Sequence, residues 1–193
     1  MKNKSWKTPF TFLFVSILLI AVFATVSFQL SKQVRAFNNK VNSTTNIKLQ
    51  LQVIQNALLY NESNAKSFVI SPSPQLEILL KELPDLIRSE IMRLDSLLTD
   101  DQRSIDSLFF FANKRIEYSG NILKTRKESG FNAALGYMNS SSENYYISKT
   151  RSLINHWKEQ ESLEQQKDLD TRKRTLNKFN LVLLSIFLFM IIL

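Results

Sequence analysis

Glu62 and Lys66 stand four residues apart in the stretch YNESNAKSFVISPSP (60–74), with the acidic residue first. On a helix that order favours an ion pair. At the surface such a pair contributes only a few tenths of a kcal/mol, roughly. Turned inward, both groups would need partners and would be placed to detect a ligand or signal. Spacing alone favours the surface arrangement. Asp100 and Asp101 read as charges at a helix start, and Tyr145 and Tyr146 read as core residues or as the lining of a pocket.

Other chemistry finds little to build on. His156 is the single histidine. A phosphoacceptor histidine would be followed by an acidic residue and a nearby proline, whereas Trp157 and Lys158 follow here. Gly120, Gly130 and Gly136 are too scattered to form a phosphate-cradling loop. One histidine and no cysteine give no transition-metal set and no nucleophilic triad. No catalytic residue, metal or cofactor is expected of this chain.

The elements that must carry these residues are long helices. Among 193 residues there are only 3 glycines and 4 prolines, which argues against a loop-rich or all-β fold. The net charge of +8 suggests nucleic acid at first. No basic block is interleaved with aromatics, however, and the basic residues gather beside two apolar segments, which suits a membrane surface. The first segment, residues 9–30, is uncharged and about as long as the roughly 20 residues a bilayer crossing needs. Lys2, Lys4 and Lys7 precede it, placing residues 1–8 in the cytoplasm. Val22-Phe23-Ala24 would suit cleavage of a secretory signal, but the apolar run continues to Leu30, which favours an uncleaved span. The second segment, LVLLSIFLFMIIL (181–193), is too short to cross alone, and the expectation is a span over 179–193 cut short at the front of a longer protein. Arg172, Lys173, Arg174 and Lys178 precede it on the side assigned to the exterior, a conflict that the length of the intervening domain makes tolerable.

Residues 31–178 then form one extracytoplasmic domain. Ile47, Leu51, Ile54 and Leu58 mark a first amphipathic helix over 43–59, and Leu76, Leu80, Leu83, Ile87, Ile91, Leu94 and Leu98 mark a second. Pro84 should kink the second helix or move its start. Thr99-Asp100-Asp101-Gln102 has capping-box spacing for a third helix, whose stripe is Ile105, Leu108, Phe109, Ala112, Ile116 and Leu123. Ser129-Gly130 supplies its stop. A fourth helix is expected from Phe131 onward, carrying Leu135, Met138, Tyr146, Leu153 and Trp157, with a weak point at Ser140-Ser141-Ser142. Its sparse Leu163, Leu169 and Leu176 suit a juxtamembrane helix that pairs with a second copy. Four such stripes bury most simply as an antiparallel four-helix bundle, all-α, flanked by two transmembrane helices and continuous with them at its first and last helices.

The order of features resembles the third class of CHASE domains, the cyclase- and histidine-kinase-associated sensory extracellular modules. The family's acidic-Thr-Gly, Arg-Gly, aromatic-aliphatic motif is matched in order by Glu62-Ser63-Asn64 and Lys66-Ser67-Phe68-Val69-Ile70, without the glycines. Asp101-Gln102 with Ile105 resembles its Asp/Pro/Gln stretch, and Gly130 with Ala133-Ala134 the opening of its fourth helix. Arg151, Leu153, Ile154 and Glu161 follow its later pattern, and the serines at 140–142 stand at its glycine-rich spot. The resemblance covers about residues 31–170. It implies a sensory input module, most often of a bacterial sensor histidine kinase acting as a homodimer in the inner membrane, multi-pass. An exterior small molecule or protein would be its ligand, with Glu62, Ser63, Lys66, Phe68, Arg151 and Glu161 in the signalling motif. Partners are membrane lipid and a second copy, with no nucleic acid. A chemoreceptor ligand-binding domain and a membrane-tethered structural or assembly protein are the alternatives. The sequence beyond residue 193 would separate them.

Overall fold

The computed structural model describes residues 7–98, 105–139 and 142–192. They form four helices: α1 (Lys7–Ile70), α2 (Pro74–Leu97), α3 (Ile105–Met138) and α4 (Ser142–Ile192). No strand occurs among the described residues, so the chain is all-α as its low Gly and Pro content implies. Lys2, Lys4, the capping-box residues Thr99 to Gln102, and Ser140 and Ser141 lie outside the described residues.

The chain divides into two units, residues 1–42 and 43–193. In the first, α1 exposes Leu13, Phe14, Ile17, Leu18, Ile20 and Phe28. Around it, an 18-residue window in the helix Ser16–Ile70 averages a hydropathy of 1.6 with none of it buried. This stretch is long and apolar enough to cross a membrane. Among the described residues it is the one helix that is so; the segment expected as a second span lies at the end of α4.

In the second unit, apolar side chains from all four helices meet in one cluster. α1 gives Ile47, Leu51, Ile54 and Leu58; α2 gives Ile87, Ile91 and Leu94, with Leu98 at its C-cap; α3 gives Leu108, Ala112 and Ile116; α4 gives Ile154 and Trp157. Spacings of three and four place these residues on one face of each helix. Fully burying each Leu or Ile stabilises the fold by about 1.5–3 kcal/mol. A smaller cluster joins Ala65, Phe68 and Val69 of α1 with Leu80 of α2 and Tyr118, Ile122 and Ala134 of α3. The expected stripes of the first three helices thus face inward, with Leu76, Ile105, Phe109 and Leu123 half-buried at their margins, whereas Leu135 of the expected fourth stripe is exposed.

Local chemistry explains the helix ends. Ser73, extended at φ −140° and ψ 150°, caps α2 by accepting a 3.2 Å hydrogen bond from the Leu76 amide, and Pro74 follows at the start of the helix. The SPSP stretch therefore starts α2 as its residues suggest. Pro84 does not move that start, because α2 runs through it. At the end of α1 the Arg126 Nε donates to the Val69 carbonyl over 2.9 Å, satisfying one of the acceptors a helix terminus leaves open.

The boundary between α3 and α4 differs from expectation. Gly130 leaves helical geometry (φ 85°, ψ −173°), as a glycine stop should, but the chain then resumes helix from 131 to Met138 as the last part of α3. Contacts remote in sequence hold that return segment. The Tyr118 hydroxyl donates to the Met138 carbonyl at 3.0 Å, its ring stacks on Tyr137 at 5.3 Å, and Asn121 Nδ2 donates to the Tyr137 hydroxyl at 3.2 Å. Phe131, Ala133, Ala134, Leu135 and Met138 accordingly belong to α3, and α4 starts at Ser142.

Candidate functional site

Between the two apolar clusters the stripes of α1 and α3 turn polar. On α1 the large cluster ends at Leu58 and the small one begins at Ala65, with Asn61 and Glu62 between. On α3, Arg115 and Ser119 hold the equivalent place among Ala112, Ile116, Tyr118 and Ile122. Asn61, Glu62, Arg115 and Ser119 each keep 5% or less of their surface exposed. Arg115 Nε donates to Glu62 Oε1 at 2.5 Å, an ion pair closed between residues 53 apart in sequence.

That pair corrects the expected surface bridge. Glu62 turns into the domain rather than along its own helix toward Lys66, and Arg115 supplies its countercharge. The physical reason is solvation: a carboxylate in the core needs a charged, hydrogen-bonding partner, and Arg115 on the facing stripe supplies one.

Hydrogen bonding in this layer is incomplete. Asn61 Nδ2 and Oδ1, Arg115 Nη2 and Ser119 Oγ are buried and have no hydrogen-bond partner. Each such group costs about 1–3 kcal/mol relative to its hydrated state. Thr150 of α4, also buried, is satisfied by its own helix through a 2.7 Å bond to the Tyr146 carbonyl. Because Glu62 offsets the guanidinium charge, the unspent capacity of the layer is hydrogen bonding rather than net charge. It suits recognition of a small polar group, or a second packing that would satisfy these atoms, more than acid–base chemistry.

The other expected motif residues scatter. Phe68 is buried in the smaller cluster, Lys66 is half-buried, Glu161 is buried on α4, and Ser63 and Arg151 are exposed. Of the six, only Glu62 joins the polar layer. Tyr145 is exposed, packing edge-on against half-buried Tyr146 at 5.4 Å with Lys149 over its ring, so the pair lines no interior site. His156 is an exposed helix residue. No group of His, Cys, Asp and Glu suited to a metal ion occurs among the described residues.

Away from the layer two charged groups are perturbed. Glu77 is held down to about 2 by hydrogen bonds from Lys127 (2.6 Å) and Lys81 (2.7 Å). Burial lowers Lys158, whose ammonium donates to Gln52 Oε1 at 2.6 Å and Gln55 Oε1 at 2.9 Å, joining α4 to α1. No protein-family model, curated protein or solved structure matches this chain.

Proposed function

We propose that the chain is the sensory input module of a membrane receptor, a sensor histidine kinase of the type the CHASE resemblance implies. In this reading residues 31–178 are an antiparallel four-helix bundle outside the inner membrane, α1 and α4 continue into the two spans, and the receptor works as a homodimer. The observation that carries it is the buried, incompletely satisfied layer of Asn61, Glu62, Arg115 and Ser119. Two of its residues, Asn61 and Glu62, come from α1, the helix that also holds the apolar segment long enough to cross a membrane. A core with unmet hydrogen bonds is poised between packings, and a ligand or partner that satisfies one packing shifts the population toward it. Displacement of α1 and α4 would carry that shift to the cytoplasmic output.

The test places the chain in lipid nanodiscs and screens small polar solutes by thermal melting. Spin labels at exposed Asn46 and Glu159 report any change in the α1–α4 distance. A solute that stabilises the native chain, changes that distance, and loses both effects in Asn61→Leu with Ser119→Ala supports the reading. A screen whose hits act equally on that variant, or leave the distance unchanged, refutes it.

A further inference from the structure

The open atoms of the polar layer define the chemistry it can take up. Asn61, Arg115 and Ser119 carry them, at 1%, 4% and 2% exposure. Asn61 holds two of these atoms, Oδ1 and Nδ2, side by side on one amide. Arg115 Nη2 can only donate, and Ser119 Oγ can donate or accept. Buried polar atoms are nearly always hydrogen-bonded, so a set left open on two helices points to a shared partner.

The other two helices bring different groups to the same level of their stripes. On α2, buried Leu83 stands between Leu80 of the small cluster and Ile87 of the large one. On α4, Thr150 lies one turn before Ile154 and is wholly buried; its hydroxyl donates to the Tyr146 carbonyl, and its oxygen can still accept. By register the layer thus has polar groups on three helices and an apolar side chain on the fourth. The step from Leu58 to Ala65, which separates the two clusters on α1, rises about 10 Å. An occupant of that interval has few heavy atoms.

Charge narrows the class. Glu62 and Arg115 offset one another. An anion would compete with Glu62 for the guanidinium and set two carboxylates in one buried layer. A cation would stand beside Arg115, whose carboxylate partner is already taken. Either arrangement leaves a buried charge without its countercharge, so the occupant is neutral. Hydrogen bonding narrows it further. An asparagine with both amide atoms open pairs with an edge that offers a donor and an acceptor together, as asparagine does on the edge of adenine. A primary carboxamide has such an edge: its N–H donates to Asn61 Oδ1 while its carbonyl oxygen accepts from Asn61 Nδ2. The second lone pair of that oxygen is left for Arg115 Nη2, and the second N–H for a hydroxyl oxygen of Ser119 or Thr150. An alcohol, with donor and acceptor on one atom, meets only part of this set.

We infer that the layer binds a small, neutral primary carboxamide, its amide edge on Asn61 and its short apolar tail toward Leu83. The inference rests on the reading of the layer as the receptor's recognition site and names the chemistry recognised there.

The probe is propionamide, compared with propionate, propylamine, 1-propanol and N,N-dimethylpropionamide, on the full chain in lipid nanodiscs. A ligand of this size binds with a Kd of roughly micromolar at best, so the titration runs from about 10 µM to about 100 mM. At ten times its Kd a ligand favours the folded state about elevenfold, which for a chain of this length raises the melting temperature by about 3–6 °C. Propionamide should give a saturable rise of that size, and the other four compounds a much smaller one. Asn61→Leu removes the open amide at similar volume and should abolish the rise. Ser119→Ala, a change of one hydroxyl, should weaken Kd about threefold or more. No saturable rise, a rise that survives Asn61→Leu, an unchanged Kd in Ser119→Ala, or an equal rise from any of the other four compounds overturns the carboxamide assignment. The α1–α4 spin-label distance separates this outcome from the sensory reading. Propionamide that binds through Asn61 without moving that distance supports the site and refutes the receptor; propionate or 1-propanol that moves it through Asn61 does the reverse.

Discussion

Breaking the Glu62–Arg115 pair from one side should cost far more than removing it whole. Both partners are all but fully buried, at 5% and 4% exposure. Deleting one leaves the other charged in the core, which costs about 3–5 kcal/mol. The two single variants differ in kind. After Glu62→Leu the guanidinium stays ionised at any accessible pH and has no escape. After Arg115→Met the Glu62 carboxyl can take up a proton instead. The Arg115→Met defect should therefore be largest at neutral pH and shrink as pH falls.

The double variant Glu62→Leu with Arg115→Met removes both charges and fills the space with carbon. Replacing a buried pair in this way is commonly neutral or stabilising. Additive behaviour would predict a loss of about 6–10 kcal/mol, twice the single cost. The expectation is a loss of no more than about 1 kcal/mol, giving a coupling energy of several kcal/mol. The assay is urea unfolding of the full chain in mild detergent, followed by far-ultraviolet circular dichroism, for the four members of the cycle. Additivity, or single losses below about 1 kcal/mol, would refute the buried pair, because only exposed bridges are so inexpensive to break.

Two further outcomes follow from local geometry. Gly130 occupies a backbone region (φ 85°, ψ −173°) that is essentially confined to glycine, so Gly130→Ala should lower stability by about 1–3 kcal/mol, whereas Gly120→Ala, with open space at its Cβ, should raise it by about 0.5–1 kcal/mol in the same unfolding assay. Glu77 lies about 2 against an ordinary value of 4.5, held there by Lys127 and Lys81. Its contribution is present above 4.5 and lost as pH falls through about 2. Melting temperature across that interval should thus fall less steeply for Glu77→Gln than for the native chain, and the difference should diminish in high salt, since both lysines are exposed.

Much of the helical plan could be read from local pattern. The α2 stripe from Leu80 to Leu98 is buried as its spacing indicates, and the Ser-Pro-Ser-Pro stretch caps that helix because serine and proline act within one turn. What escaped reading depended on distant partners. Glu62 and Lys66 look like a pair because they are four residues apart, yet the partner of Glu62 is 53 residues away. A usable signal was nevertheless present. Leu58, Asn61, Ala65 and Phe68 continue the α1 stripe at steps of three and four, and Leu108, Ala112, Arg115, Ser119 and Ile122 continue that of α3. Polar residues at stripe positions on two helices mark a buried layer, as long as the stripe is followed through them rather than ended at them. The return of α3 after Gly130 had no such signal. It is held by Tyr118 against Tyr137 and Met138, contacts that no short-range pattern encodes.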